Sequence, residues 1–223
     1  MKSDMKSGKP LGRPRSFDRD AALERAMRVF WRQGYDATSV SDLTHAMGIN
    51  PPSLYAAFGD KERLYLAAVE RYHRSRVELA EKWLEEEPTA QAAIGRLLTE
   101  AANWFARSGA PRGSMLVLSA TTCSAASLQP ELAARRASLK AALKARIDRG
   151  IRAGELPRGT DSSALAIFYT TVFQGMSIQA RDGATGRTLL TIAQTAMDAW
   201  PHRRQRGPYN RALPSTRSHS ERR

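Results

Sequence analysis

Apolar residues recur at helical spacing along most of the chain, and Val, Ile and Thr do not alternate as they would in strands. The first apolar stripe keeps the i, i+3, i+4, i+7 spacing of one helix face and consists of Leu23, Ala26, Met27 and Phe30. Asp18 is placed to cap this helix and Gly34 to end it. The pattern predicts a first helix over residues 18–33 and an all-α fold.

Further stripes predict helix for most of the remaining chain. The predicted elements are helices over residues 61–87, 90–107, 130–152, 161–180 and 185–200, with a largely buried segment over 112–127. Together with a pair of short helices after the first one, this gives about nine helices. The expected architecture is a three-helix N-terminal head on a larger C-terminal helical bundle.

The pair of short helices has unusually clear local signals. Ser39 and Asp42 form the pattern of a capping box at the start of the first, and Gly48 is placed to end it in the left-handed conformation. Asn50 or Pro51 would cap the second. Pro51 is favoured as the last non-helical residue, because a residue that precedes proline avoids the helical region.

Two short helices joined by a tight glycine turn are typical of a helix-turn-helix, whose second helix lies in the DNA major groove. An ordinary αα-hairpin inside a bundle is the alternative. Leu54 and Phe58 are predicted to point inward. Because no Arg, Lys, Gln or Glu lies between Leu43 and Gly59, we expect much of the readout to depend on DNA shape and methyl contacts.

A basic arm precedes the head. Its Gly-Arg-Pro-Arg sequence ends at Arg15 and is suited to a narrow minor groove, with a disordered, solubilising N-terminus as the alternative. The residues expected to contact DNA bases or phosphates, from this arm, the helix caps and the second short helix, are Arg13, Arg15, Thr38, Ser39, Asn50, Pro51, Pro52, Ser53, Tyr55 and Lys61.

Several motifs in this region resemble one family. They are Gly34-Tyr-x-x-Thr-Ser-x-x-x-Leu43, Met47-Gly-Ile, and Ser53-Leu-Tyr-x-x-Phe58-x-Asp-Lys-Glu62-x-Leu64. Over roughly residues 15 to 72 the chain is similar to the N-terminal domain of the tetracycline-repressor (TetR/AcrR) family. Beyond that range it matches in helical layout only. The resemblance implies a DNA-binding head on a divergent C-terminal body.

The resemblance also implies a ligand cavity in that body. The candidate lining residues are Arg76, Trp104, Phe105, Met115, Leu118 and Cys123, each with plain core packing as an alternative. Arg76 lies on the apolar stripe of the long helix. We expect it to be a buried or snorkelling salt-bridge partner, with an anionic ligand as the alternative reading.

The last two predicted helices are apolar on more than one side, which is unusual for a monomer. The resemblance implies that they pair across a two-fold axis into a four-helix bundle. The candidate dimer-interface residues are Phe168, Val172, Gly175, Met176, Gln179, Ile192, Ala196 and Trp200.

The net charge of +13 lies mostly in the tails, since residues 1–15 carry +4 and residues 201–223 carry +6. The expected domains are a disordered basic arm over 1–15, a DNA-binding domain over 16–62, an effector-binding and dimerisation domain over 63–200, and a disordered basic tail over 201–223. The DNA-reading segment itself is neutral, so its grip on phosphates must come from the arm and from local placement.

Other classes of protein find little support. No apolar run is long enough to span a membrane and the N-terminus lacks a signal-peptide core, so we expect a cytoplasmic protein. The single cysteine, Cys123, excludes an internal disulfide, and a buried inert thiol is favoured over a redox sensor. The scattered histidines predict no metal site, and no catalytic grouping or cofactor motif is evident.

The sequence therefore favours a ligand-responsive transcriptional regulator and not an enzyme. We expect a homodimeric repressor that binds a palindromic operator in double-stranded DNA and is released by a small, partly apolar effector. One alternative is an all-α small-molecule carrier or enzyme that uses the hairpin as a scaffold. The other is a non-specific nucleoid binder driven by the basic tails.

Overall fold

The computed structural model describes residues 17–201, which form nine α-helices and no strand. The helices are α1 Arg19–Gln33, α2 Val40–Met47, α3 Pro51–Phe58, α4 Lys61–Glu86, α5 Ala90–Phe105, α6 Met115–Thr122, α7 Gln129–Arg152, α8 Ser162–Arg181 and α9 Gly186–Asp198. The predicted all-α architecture is confirmed. None of the helices in this part of the chain is both long and apolar enough to cross a membrane.

Capping side chains fix the helix starts in the head. The Ser39 hydroxyl accepts a hydrogen bond from the Asp42 backbone N–H, and the Asp42 carboxylate accepts one from the Ser39 N–H, so the predicted capping box is present. Gly48 ends α2 with φ 70° and ψ 35°, the left-handed geometry expected of it.

The start of α3 differs from the prediction. Asn50 is the cap, because its side-chain oxygen accepts a hydrogen bond from the Ser53 N–H at 2.9 Å. Pro51 is therefore inside the helix and not the last residue before it. Proline is well suited to this first position, since it lacks an N–H that would have no partner there.

Two groups of buried side chains make up the core. The first lies between the helices α1, α2, α3, α4 and α6 and the start of α7. It includes Phe30, Leu43, Leu54, Tyr65 and Leu132. The second joins the end of α4 with α5, α7, α8 and α9, and includes Leu84, Leu98, Leu143, Tyr169 and Leu189. Trp104 packs against both groups, so the head and the body share one continuous interior.

The segment predicted to be largely buried between residues 112 and 127 is only partly so. Its helix, α6, is eight residues long, with Met115 and Ser119 buried and Ala120 and Thr121 exposed. One face of α6 packs on the head and another lies beside the body. This short helix therefore contacts both parts of the molecule.

Candidate DNA-binding helix pair and effector cavity

Helix α3 is anchored on one side and open on the other. Leu54 and Phe58 are buried in the head core, as predicted. Pro51, Pro52 and Tyr55 are exposed, and Tyr55 keeps 49% of its surface accessible. The open face carries no charged side chain, so its backbone can approach a groove floor closely.

The structure separates two adjacent residues that the sequence had grouped as phosphate contacts. Ser39 is exposed at the start of α2, where its hydrogen bonds hold the pKa of the Asp42 carboxyl below its ordinary value. Thr38 is only 1% exposed, and its hydroxyl donates to the Gly34 carbonyl oxygen at 2.6 Å. The Thr38 side chain thus has an internal role, which corrects its assignment as a DNA contact.

Cations lie beside α3 on its neighbours. The Lys61 ammonium is 4.3 Å from the centre of the Tyr35 ring, which positions it at the start of α4. Arg19 lies over the Phe58 ring at 4.6 Å, and Arg63 is exposed one turn into α4. The sequence analysis did not select either arginine. Both arginines lie in the first turn of a helix, α1 or α4, and this position could have identified them as candidate phosphate contacts.

Not every predicted DNA contact falls in the described range. Asn50 and Ser53 lie together at the start of α3, joined by the capping hydrogen bond. Arg13 and Arg15 lie outside residues 17–201. Their role as a minor-groove arm stays a prediction.

A cavity of about 370 Å³ lies in the body between α4, α5, α6, α7 and α8. This volume is within the range of small-molecule sites. Its apolar wall includes Tyr72, Trp83, Leu97, Trp104, Leu139 and Phe173.

Two of the six candidate ligand residues line this cavity, namely Arg76 and Trp104. The other four lie elsewhere: Phe105, Met115 and Cys123 are buried in the cores, and Leu118 packs against the head core. In α6 the lining positions are instead Leu116 and Val117. Packing decides which apolar positions of α5 and α6 face the cavity, and the spacing of these residues does not show it.

Cys123 is buried, and burial raises the pKa of its thiol. The reactive thiolate is therefore disfavoured at neutral pH. This supports the expectation of an inert cysteine. Among residues 17–201 there is also no group of three or more His, Cys, Asp or Glu side chains suited to hold a metal ion.

Helices α8 and α9 expose large apolar side chains. Ile167 is 54% exposed, and Phe168, Ile178 and Leu190 are also accessible. Of the candidate interface residues, Phe168, Gly175 and Gln179 are exposed, and Val172 and Ile192 are half-buried.

The remaining three candidates, Met176, Ala196 and Trp200, are buried within the subunit and belong to its core. They are therefore corrected to core residues. Gly175 faces outward, while the adjacent Met176 faces the core. Ile167 and Ile178, which the sequence analysis did not select, lie on the exposed side instead.

Backbone hydrogen bonds connect the head to α6. The Thr122 carbonyl oxygen, at the end of α6, accepts from the N–H groups of Tyr35 at 3.0 Å and Asp36 at 3.2 Å. The Asp36 carboxylate in turn accepts from the Ser124 N–H at 2.8 Å. Leu116 on the same helix lines the cavity. A movement of α6 would therefore change both the cavity wall and the hydrogen bonds to the head.

Known proteins resemble this chain over its sequence and its fold. The family "Bacterial regulatory proteins, tetR family" matches residues 22–68. The HTH-type transcriptional repressor ComR of Escherichia coli K12 is 38% identical over 196 residues, which cover 86% of this chain and 93% of ComR. BdcR, another repressor of that organism, is 35% identical over half of this chain.

Solved structures show the same similarity in three dimensions. A cysteine mutant of the TetR family regulator CifR, in complex with 26-base-pair operator DNA, superposes with a TM-score of 0.82. It is 42% identical, and the match covers 85% of this chain and 100% of the CifR chain. A TetR regulator from Rhodococcus sp. RHA1 is 37% identical with a TM-score of 0.58, over 83% of this chain and all of its own.

Proposed function

The chain belongs to the tetR family of bacterial regulatory proteins and is a DNA-binding transcriptional regulator, and we propose that it is a homodimeric repressor released from a two-fold operator by a small molecule. The observation that carries this proposal is the uncharged, exposed face of α3, held outward by the buried Leu54 and Phe58. A similar protein, CifR, has been crystallised with operator DNA.

In this proposal α3 enters the major groove. The groove-facing residues would be Pro51, Pro52, Ser53 and Tyr55, and the residues near the phosphate backbone would be Ser39, Asn50 and Lys61. Arg13 and Arg15 would add minor-groove and charge contacts. Because α3 lacks the long polar side chains that read bases directly, sequence preference would come largely from DNA shape and thymine methyl contacts.

Two copies of the chain would pair through α8 and α9. The exposed Ile167, Phe168 and Ile178 supply apolar area that a second copy would cover. A two-fold dimer presents two α3 helices, and such dimers bind half-sites separated by about one helical turn of DNA or a multiple of it. Residues 16–62 would then be the DNA-binding part and 63–200 the effector-binding and dimerisation part.

The effector would act from the cavity of the body. A ligand changes DNA affinity only through its different affinities for the DNA-bound and released conformations. The path suggested by the contacts runs from Leu116 and Val117 in the cavity wall, along α6, to the Thr122 carbonyl that holds Tyr35 and Asp36.

Selection of binding sites from random DNA with the purified protein, followed by footprinting, tests the proposal. We expect one palindromic sequence, protected over a defined length by two protein chains. Even coating of unrelated DNA would instead indicate a non-specific nucleoid binder driven by the tails. Failure to protect any DNA would contradict the proposal and favour a carrier or an enzyme.

A further inference from the structure

The cavity wall contains a cation, Arg76, that forms no ion pair within residues 17–201. Arg76 lies on the cavity wall, and its Nε atom is buried without a hydrogen-bond partner among the described residues. The α4 cations that form ion pairs in this part of the chain are Arg63, Arg71, Arg74 and Lys82. The expected salt-bridge role of Arg76 is therefore not observed. The Arg76 side chain as a whole is half-buried, and a partly desolvated cation that lacks an anionic partner is unfavourable.

The position of Arg76 suits it to bind a planar anion. Its guanidinium carbon lies 3.3 Å from the centre of the Trp104 ring and 5.6 Å from that of Tyr72. An arginine placed over an aromatic face still has the N–H donors at its edge for an acceptor in its own plane. Carboxylates match that edge with two parallel hydrogen bonds.

The other charged groups of the lining do not neutralise Arg76. Arg135 is paired with Glu70 and Glu131, and Arg136 donates to the Ser119 hydroxyl at 2.9 Å. The remaining ionisable lining residues are His73, Glu81, Glu100 and Arg107. Glu81 and Arg107 are exposed, where water screens their charges, and Glu100 is half-buried.

We propose that the cavity binds a small amphipathic carboxylate, with its carboxylate on Arg76 and an aromatic or other apolar body against the remaining wall. The lining also provides the apolar surface of Trp83, Leu97, Leu139 and Phe173 for that body. The inference rests on the proposed function in one respect, since it takes this ligand to be the effector. It extends that function by naming the effector's chemical class and the residue that selects it.

Contacts between aromatic rings connect the ligand site at Arg76 to the head. Trp104 lies 6.3 Å from Trp31, which is buried near the end of α1, and Tyr72 lies 4.9 Å from Trp31 between ring centres. A carboxylate that shifts Arg76 on Trp104 would therefore disturb an aromatic cluster that includes a head residue. This contact is separate from the hydrogen bonds made by α6.

Titration calorimetry with the full chain tests the inference without DNA. The probes are benzoate, phenylacetate and phenylpropanoate, each compared with its neutral amide. We expect at least one acid to bind about tenfold or more tightly than its amide, and Arg76→Gln to remove this preference. Arg76→Lys should retain part of it, because the charge remains while the planar pair of donors is lost.

The matched control is Arg152→Gln, which removes an exposed arginine outside the cavity lining and should leave the preference unchanged. Equal binding of acids and amides, no binding of any acid up to millimolar concentration, or an unchanged preference in both Arg76 variants would overturn the inference. A protein that binds the acids through Arg76 but protects no DNA would overturn the proposed function alone. Acids that bind this way yet leave a selected operator occupied would overturn their role as effector.

Discussion

Gly34 occupies the junction between the head and α6, and replacing it with alanine tests that contact. Gly34 ends α1 with φ 84° and ψ 173°, a region open essentially only to glycine. A Cβ added there would lie 2.5 Å from the Thr122 Cβ and 3.1 Å from the Thr122 carbonyl oxygen. That same carbonyl accepts the hydrogen bonds of Tyr35 and Asp36, so a shift of Thr122 would weaken both.

Two costs add in Gly34→Ala. The unfavourable backbone conformation costs about 1–3 kcal/mol, and forcing an extra carbon into a filled space costs about 1–3 kcal/mol more. Alanine restricts the unfolded chain and returns about 0.4–1 kcal/mol. The expected loss of unfolding free energy is therefore about 1–6 kcal/mol.

Gly109→Ala is the matched control, because Gly109 has φ 78° and nothing within 4 Å of an added Cβ. It should cost only the backbone strain, less the same gain from restricting the unfolded chain, which leaves about 0–2 kcal/mol. Urea unfolding followed by circular dichroism measures both variants, at one protein concentration because the stability of a dimer depends on it. If the two substitutions cost the same, the packing of Gly34 against Thr122 contributes nothing and the head–body junction is not as described.

Three further predictions concern DNA binding and assembly. Tyr55→Phe should cost about 1 kcal/mol of operator affinity in a gel-shift titration if its hydroxyl meets a phosphate, and unchanged affinity would rule that contact out. Replacing Arg13 and Arg15 with alanine should reduce the salt dependence of log K by about two units at most, whereas an unaltered slope would mean that the arm does not touch DNA. Phe168→Asp should convert the dimer to a monomer in sedimentation experiments while Ala141→Asp, on the exposed side of α7, does not; equal assembly of both would contradict pairing through α8.

The head could be predicted closely from its sequence because its signals are local. The capping box of Ser39 and Asp42 and the left-handed Gly48 each depend on a few neighbouring residues, and both features are observed. The sequence analysis favoured Pro51 over Asn50 as the cap of α3, and this prediction was wrong. The choice depended on a hydrogen bond to Ser53 that the sequence permits but does not require.

The body was harder to predict at the level of single residues, for a geometric reason. Where a helix is apolar on several sides, the sequence does not show which side faces a cavity, a core or a partner. Trp104 lines the cavity while the adjacent Phe105 is buried. Gly175 is exposed while the adjacent Met176 is buried. Long-range packing makes these choices, which periodicity alone cannot supply.

DNA cleavage from a reagent attached to α3 tests groove entry most directly. An iron–EDTA group on Ala56→Cys, an exposed position of α3, should cut the selected operator within the major groove of both half-sites. The native Cys123 is buried and gives the background, and Ala141→Cys on α7 provides a labelled control that should not cut there. Two symmetric cleavage centres from position 56 and none from position 141 are the predicted result. Cleavage from position 141 at the half-sites, or none from position 56 on a fully bound operator, would contradict DNA reading by α3.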